Sequence, residues 1–113
     1  MTKVYHNPRC SKSRITCEAL KNAKEEFEVV EYLKNPIGKV ELEEVIRMLG
    51  ITPFELVRKG ESIYKEQFKG KDLSDDQWIA AMIEYPKLME RPIVVKNGKA
   101  AIGRPVEKVL EIL

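Results

Sequence analysis

The sequence predicts an α/β fold in which a βαβ unit and a ββα unit frame a block of helices. Short runs of β-forming residues occur in the first and last thirds of the chain, whereas helical periodicity dominates the middle third. The pair Asn97-Gly98 is a strong hairpin signal between the last two β-runs. Elements in this order pack as a sheet covered by helices.

The first third contains the predicted βαβ unit. A short strand opens at Val4 and ends at the turn-forming pair Asn7-Pro8, and a helix follows from about Ser11. Residues 27–33 are rich in β-formers and predict the second strand. The apolar residues expected on the buried face of the helix recur at helical spacing: Ile15, Ala19, Leu20 and Ala23.

The middle third, about residues 37–90, is predicted to be a helical insertion. Its first helix ends at Gly50, a plausible C-cap, and a helical turn starts at Pro53. Ser74 and Gln77 form a capping box that opens a further helix. Residues 60–71 between these helices are polar and weakly patterned. The apolar face of the first helix repeats at i, i+3, i+4 and i+7: Leu42, Val45, Ile46 and Leu49.

The last third returns to sheet. Residues 92–95 form an apolar strand, and residues 99–102 pair back across the hairpin. Arg104-Pro105 is expected to begin a final helix. The residues predicted for one face of that helix are Val106, Val109, Leu110 and Leu113.

Composition restricts the class of protein. The 113 residues suit a single domain, predicted to span 1–113, and 43% hydrophobic with 34% charged residues is an ordinary globular balance. A net charge of +2 argues against a nucleic-acid binder. No apolar run approaches the roughly 20 residues of a membrane helix, and the residues after Met1 lack the apolar segment of a signal peptide, so we expect neither element. With only two cysteines, we expect a cytoplasmic protein with reduced thiols, no metal and, by default, a monomeric state.

Cys10 is the candidate nucleophile. It follows a strand and directly precedes a helix, where unpaired backbone N–H groups and the helix dipole favour an anion. Both effects stabilise the reactive thiolate, and Arg9, Lys12 and Arg14 add positive charge nearby. The hydroxyl of Ser13 is an expected donor to a bound oxyanion. The alternative is that Cys10 is simply a small buried residue.

Two further residues bear on this chemistry. His6, the only histidine, either orients the loop and tunes the Cys10 proton or is a polar residue at a strand end. Cys17 is expected to be a buried, inert thiol rather than a resolving partner. Because Ser13 stands where a C-x-x-C motif would have its second cysteine, an oxidised Cys10 would need an external thiol.

Three arginines from distant segments are candidates for oxyanion binding. Arg91 and Arg104 each precede a proline, and Arg58 ends a short helical turn. The planar guanidinium donates paired, charged hydrogen bonds that suit tetrahedral oxyanions. Ordinary surface solvation is the alternative for each of them.

The loop Tyr5-His6-Asn7-Pro8-Arg9-Cys10-Ser11-Lys12-Ser13-Arg14 resembles the active-site loop of the glutaredoxin-linked arsenate reductases. The resemblance covers nearly the whole chain. It continues through residues 31–36, 48–51, 56–59, 75–77, 85–86, 90–95 and 103–110. Arg9 and Lys12 depart from it, because the family commonly has small residues around the cysteine.

The resemblance implies a thioredoxin-like mixed sheet with a helical insertion and a cis Pro92 that faces the Cys10 loop. It implies that Cys10 is the nucleophile and His6 its partner. It also implies that Arg58, Arg91 and Arg104 bind the oxyanion. The implied substrate is arsenate or a related oxyanion, with glutathione as co-substrate, glutaredoxin as protein partner and no tightly bound cofactor.

The main alternative is a regulator similar to the Spx-type proteins, which share this fold and bind RNA polymerase. Those proteins also carry an Arg-Pro-Ile segment like residues 91–93, so that segment does not discriminate. The loop segment His6-Asn7-Pro8, the pair Arg104-Pro105 and the serine at position 13 favour the reductase.

Overall fold

The computed structural model describes all residues 1–113 and contains a four-stranded sheet with helices. The strands are β1 (Thr2–Tyr5), β2 (Phe27–Val30), β3 (Ile93–Lys96) and β4 (Lys99–Ile102). The α-helices are α1 (Ser11–Asn22), α2 (Lys39–Leu49), α3 (Asp75–Glu84) and α4 (Glu107–Leu110). Short 3₁₀ turns span Pro53–Leu56 and Pro86–Leu88, and a π-helical turn spans Tyr64–Phe68. No helix has the length and apolar character needed to cross a bilayer.

The chain divides into two compact units, which are residues 1–35 with 91–113 and residues 36–90. The first unit contains the sheet in the order β2-β1-β3-β4. β1 pairs in parallel with β2 and antiparallel with β3, and β3 pairs antiparallel with β4. This is the predicted mixed sheet built from a βαβ and a ββα unit. The second unit coincides closely with the predicted helical insertion.

The core of the first unit lies between the sheet and its helices. Val4 and Val94 from the central strands meet Leu20 of α1 and Val109 of α4, all fully buried. The hairpin between β3 and β4 has the predicted turn, in which Asn97 and Gly98 both adopt positive φ angles. Burial of these side chains fixes α1 against the sheet, and its N-terminus bears Cys10.

The second unit packs its helices around Trp78. The Trp78 ring lies 5.0 Å from the Phe54 ring and 5.9 Å from the Phe68 ring, measured between centroids. The predicted capping box is present, since Ser74 Oγ accepts from Gln77 N at 3.2 Å. Gly50 ends α2 in the left-handed region, as predicted. Residues 60–71, which gave no clear pattern, include the π-helical turn.

The predicted buried face of α1 is wrong in part. Leu20 is buried, but Ile15 is 47% exposed and Ala23 is exposed. Ser13 and Thr16 occupy the buried face instead. Ser13 is held there by Asn7 N, which donates to Ser13 Oγ at 3.3 Å, and Thr16 lies where Gly103 leaves space for its side chain.

Two predicted element boundaries also differ from the structure. β2 ends at Val30 rather than at residue 33, because the Glu31 carbonyl accepts from Lys34 N and the chain turns. The last helix begins only at Glu107. Before it, Arg104 N donates to the Ile102 carbonyl in a tight turn at Gly103, and the chain bends at Arg104 and Pro105. Of the predicted apolar face of this helix, Val109 is buried and Leu110 is 45% exposed.

Candidate active site

The loop between β1 and α1 places Cys10 at the N-cap of α1, with an extended backbone conformation. Asn7 organises this loop. Its carbonyl accepts from Cys10 N at 2.9 Å, and its side-chain Oδ1 accepts from Arg9 N at 3.0 Å. Because Asn7 N also donates to the fully buried Ser13 hydroxyl, the loop is tied to the first turn of the helix.

The Cys10 sulfur lies among hydrogen-bond donors. Arg104 Nη2 donates to Cys10 Sγ at 3.5 Å. The backbone N–H groups of Ser13 and Lys12 and the positive charge of Arg91 also act on this sulfur and favour its thiolate. Cys10 is only 7% exposed. Unpaired N–H groups at the start of a helix favour an anion, and the role of Cys10 as the nucleophile stays a prediction.

These donors change the acidity of the thiol. Burial is the largest single influence on the pKa of Cys10 and acts to raise it, whereas the Ser13 N–H and the Arg104 guanidinium act to lower it. Together with the Arg91 charge and the Lys12 N–H, they lower the pKa from 9.0 to about 7. About half of the molecules therefore carry the thiolate at neutral pH, and the thiolate is the nucleophilic form.

Arg104 contacts the Cys10 sulfur and Arg91 adds positive charge near it, although 13 positions separate the two arginines in the chain. Arg104 Nε donates to the Arg91 carbonyl at 2.9 Å, which fixes the guanidinium that reaches Cys10. Arg91 is buried and Arg104 is exposed. The peptide bond before Pro92 is cis, as the resemblance implied, and the bond before Pro105 is cis as well.

Arg58 lies in the second unit, just after the Pro53–Leu56 turn. Its Nη1 forms an ion pair with Glu61 Oε2 at 3.0 Å, and its backbone N donates to the Leu88 carbonyl. The geometry within this unit leaves Arg58 partly exposed. Its role in binding an oxyanion stays a prediction.

His6 contacts the second cysteine. Its Nδ1 lies 3.7 Å from Cys17 Sγ, and its backbone N donates to the Val30 carbonyl at 2.8 Å. Burial lowers the pKa of His6, opposed by the charge of Glu31 and aided by that of Arg14. This contact links the start of the loop to α1. It supports a loop-orienting role for His6, and that role stays a prediction.

Cys17 differs from Cys10. It is half-buried against the core cluster of the first unit, and burial raises its pKa despite the nearby charge of Lys21. Both cysteines are free thiols. No group of three or more His, Cys, Asp or Glu side chains lies close enough together to hold a metal ion.

Sequence reasoning missed Asn7 as the organiser of the loop, and it missed Gly103 and Thr16. Gly103 is buried beside Arg104, and Thr16 is a fully buried polar residue on α1. A glycine outside any turn motif, directly before a candidate arginine, was the available signal for Gly103.

Comparison with known proteins gives a consistent result. A family model described as the ArsC family matches residues 5–112. The chain is 52% identical over 113 residues to the uncharacterized protein YfgD of Escherichia coli K12, covering 98% of this chain and 95% of that protein. It is 40% identical to the arsenate reductase of Neisseria meningitidis, covering 98% and 97% of the two chains.

The structural comparison agrees. The structure matches the arsenate reductase of Vibrio cholerae with a TM-score of 0.95 and 47% identity, covering 99% of this chain and 97% of the other. This likeness confirms the predicted thioredoxin-like fold.

Proposed function

The chain belongs to the ArsC family, and from that premise we propose that it reduces arsenate, or a similar tetrahedral oxyanion, with Cys10 as the nucleophile. One observation carries the proposal: Arg104 donates to a Cys10 sulfur whose pKa is lowered to about 7. Relatives named arsenate reductases at 40% identity support an oxidoreductase.

The first step uses the positive charge around the sulfur. Arg91 and Arg104 hold the dianionic substrate beside Cys10 through charge-assisted hydrogen bonds, and Arg58 is proposed as a third ligand. The N–H groups at the start of α1 contribute to the same binding. The Cys10 thiolate then attacks arsenic, an As–S bond forms, and one oxygen leaves as water after protonation.

The remaining steps need two external thiols. Glutathione displaces a second oxygen as water and forms a second As–S bond. A glutaredoxin thiolate then attacks the glutathione sulfur, so that a mixed disulfide forms and the electron pair of the broken As–S bond reduces As(V) to As(III). Water releases arsenite from Cys10 and restores the thiol. Ser13 at the C-x-x-C position supports an external reductant, because no neighbouring cysteine is placed to resolve the adduct.

The proposed partners follow from this sequence of steps. Glutathione acts as co-substrate, glutaredoxin as thiol donor, and no organic cofactor is bound tightly. Both thiols belong to a reducing compartment, which agrees with a cytoplasmic location.

A coupled assay tests the proposal. Arsenate-dependent NADPH oxidation is measured with glutathione, glutaredoxin and glutathione reductase, using the wild type and Cys10→Ser. Turnover is expected in the wild type, loss in the variant, and strong dependence on glutaredoxin. Turnover that persists without glutaredoxin but requires thioredoxin would replace the proposed reductant and keep the nucleophile. No turnover with a folded wild type would overturn the arsenate assignment.

A further inference from the structure

Gly103 occupies a position where no side chain fits. It follows β4 directly, precedes Arg104 and is buried. A Cβ atom built on Gly103 would lie 2.5 Å from Thr16 Oγ1 and 2.9 Å from Pro92 Cγ. Real Cβ contacts are essentially never shorter than 3.0 Å. Space, not a left-handed backbone, therefore requires glycine here, because Gly103 is not among the glycines with positive φ.

The atoms that crowd Gly103 belong to the segments that carry the active site. Thr16 lies on α1, six residues after Cys10, and is fully buried. Pro92 follows Arg91, and its carbonyl accepts from Gly103 N at 2.9 Å. The helix with the nucleophile, the segment with the buried arginine and the segment with the exposed arginine thus meet at one glycine.

The Thr16 hydroxyl is unusual at this junction. Its Oγ1 is buried and has no hydrogen-bond partner. The Cα atom of Gly103 approaches this oxygen closely, since a Cβ built on it would lie 2.5 Å away. The oxygen therefore leaves no room for a side chain at position 103.

We propose that Gly103 is a positioning residue of the active site: its close contact with Thr16 sets the distance between α1 and the segment that brings Arg104 to Cys10. The Arg104 Nη2–Cys10 Sγ distance of 3.5 Å is an ordinary hydrogen-bond length for the large sulfur acceptor, so any separation of the two segments lengthens a formed bond. A Cβ at Gly103 must displace Thr16 Oγ1 and Pro92 Cγ. Because Thr16 is fully buried on α1, we expect this displacement to move α1 away from the segment with Arg104 and to weaken the contact with Cys10. The role rests on the proposed function only in that Cys10 is the reacting group.

The Cys10 pKa tests this role without any substrate. It is measured as the pH dependence of iodoacetamide alkylation in a Cys17→Ala background, so that one thiol reports. Gly103→Ala is expected to raise the pKa by about 0.5 unit or more, because the Arg104 donor retreats. Thr16→Ala, added to Gly103→Ala, removes the oxygen 2.5 Å away and is expected to recover part of the shift. The matched control is Gly60→Ala, since nothing lies within 4 Å of a Cβ at Gly60.

A second variant, Thr16→Val, tests the proposal if Gly103→Ala does not fold. Thr16→Val enlarges the same contact from the helix side and leaves Gly103 in place, and it is expected to raise the Cys10 pKa in the same direction. A folded Gly103→Ala with the parental pKa, or an unchanged pKa in Thr16→Val, overturns the proposal. A lower melting temperature without a pKa change would show a packing role alone and would also overturn it. Failure to reduce arsenate leaves this alkylation assay unaffected, so the two proposals fail separately.

Discussion

The two cysteines of this chain lie on one helix and have opposite acidities. Cys10 caps the N-terminus of α1, where donors lower its pKa to about 7. Cys17 lies about two turns further along, and burial raises its pKa. Cys10 is in fact the less exposed of the two, since it is classed as buried and Cys17 as half-buried.

The difference teaches that burial alone does not decide whether a thiol is inert. Both sulfurs lose solvent, which favours the neutral form. At Cys10, backbone N–H groups and the Arg104 guanidinium replace water as stabilisers of the thiolate. Cys17 Sγ instead faces the apolar core cluster and the His6 ring. Directed donors at a helix N-terminus outweigh the loss of water, and apolar neighbours do not.

The largest expected contrast is in turnover. Cys10→Ser removes the nucleophile and should lower arsenate reduction by at least about a thousandfold. Cys17→Ser should stay within about twofold of the wild type, because its sulfur takes no part in the proposed steps. Initial rates of both variants in the glutaredoxin-coupled assay check this. A large loss in Cys17→Ser with normal Cys10→Ser would reverse the assignment of the two thiols.

The pH dependence of stability should separate the two thiols as well. The Cys10 pKa is about 7 in the folded chain, against an ordinary value of 9.0. Between these pH values the unfolded chain binds more protons at Cys10, so this residue adds free energy of unfolding as pH rises from 7 to 9. The contribution approaches about 3 kcal/mol above pH 9 and is lost below pH 7, and about 2 kcal/mol of it falls between pH 6.5 and pH 9.

Urea denaturation at pH 6.5 and 9 under reducing conditions measures this contribution. The wild type should gain about 2 kcal/mol over Cys10→Ser between the two pH values, since all other titrations cancel in the difference. Cys17 should show the opposite sign, because its raised pKa makes the folded state bind the proton more tightly. Equal pH profiles for wild type and Cys10→Ser would contradict a lowered Cys10 pKa.

Removing the Arg104 guanidinium should raise the Cys10 pKa and so reduce the difference in acidity between Cys10 and Cys17. Arg104→Ala is expected to raise the Cys10 pKa and to lower kcat/KM by about 5- to 30-fold, or about 1–2 kcal/mol, because one charge-assisted contact is lost. Arg104→Lys should fall in between, since it keeps the charge but not the fork. Arg47→Ala is the control, because Arg47 pairs with Glu44 in the other unit. An unshifted alkylation profile in Arg104→Ala would remove Arg104 from the site.

The smallest expected effect concerns the apolar surroundings of Cys17. Cys17→Val keeps an apolar side chain against the core cluster and should change the free energy of unfolding by less than about 1 kcal/mol. The Cys10 pKa should be unchanged. Thermal melting and alkylation of the remaining thiol test both points. A marked rise in the Cys10 pKa would show that the Cys17–His6 contact supports the nucleophile.

Short sequence motifs correctly predicted those features of the fold that depend on only a few adjacent residues. The Ser74 capping box, the Gly50 cap and the Asn97-Gly98 turn depend on a few adjacent residues, and all three are present. The buried face of α1 was predicted less well because Ile15 is exposed and Thr16 is buried. Which side of a helix meets the sheet depends on residues far away in the sequence, and periodicity alone does not contain that information.

The candidate site likewise combines features set by adjacent residues, which were predicted, with features set by distant residues, which local motifs did not predict. The position of Cys10 before a helix and next to cationic residues was readable from the loop alone. The approach of Arg104 to the sulfur followed only from the resemblance, because 94 positions separate the two residues. The need for glycine at position 103 was not predicted, since it arises from Thr16 and Pro92, which no local pattern connects to it.

The 94 positions between Cys10 and Arg104 also determine at what stage of synthesis and folding the Cys10 thiol becomes reactive. Closing a loop of 94 residues costs conformational entropy that only the assembled sheet and core repay. A chain still emerging from the ribosome has Cys10 long before it has Arg91 and Arg104, so two of the groups that lower the pKa of its thiol are absent. A thiol nearer its ordinary acidity ionises less at neutral pH, so the nascent polypeptide is expected to react more slowly with oxidants and alkylating agents than the folded chain. Reactivity is acquired together with the native state and is lost again when that state opens.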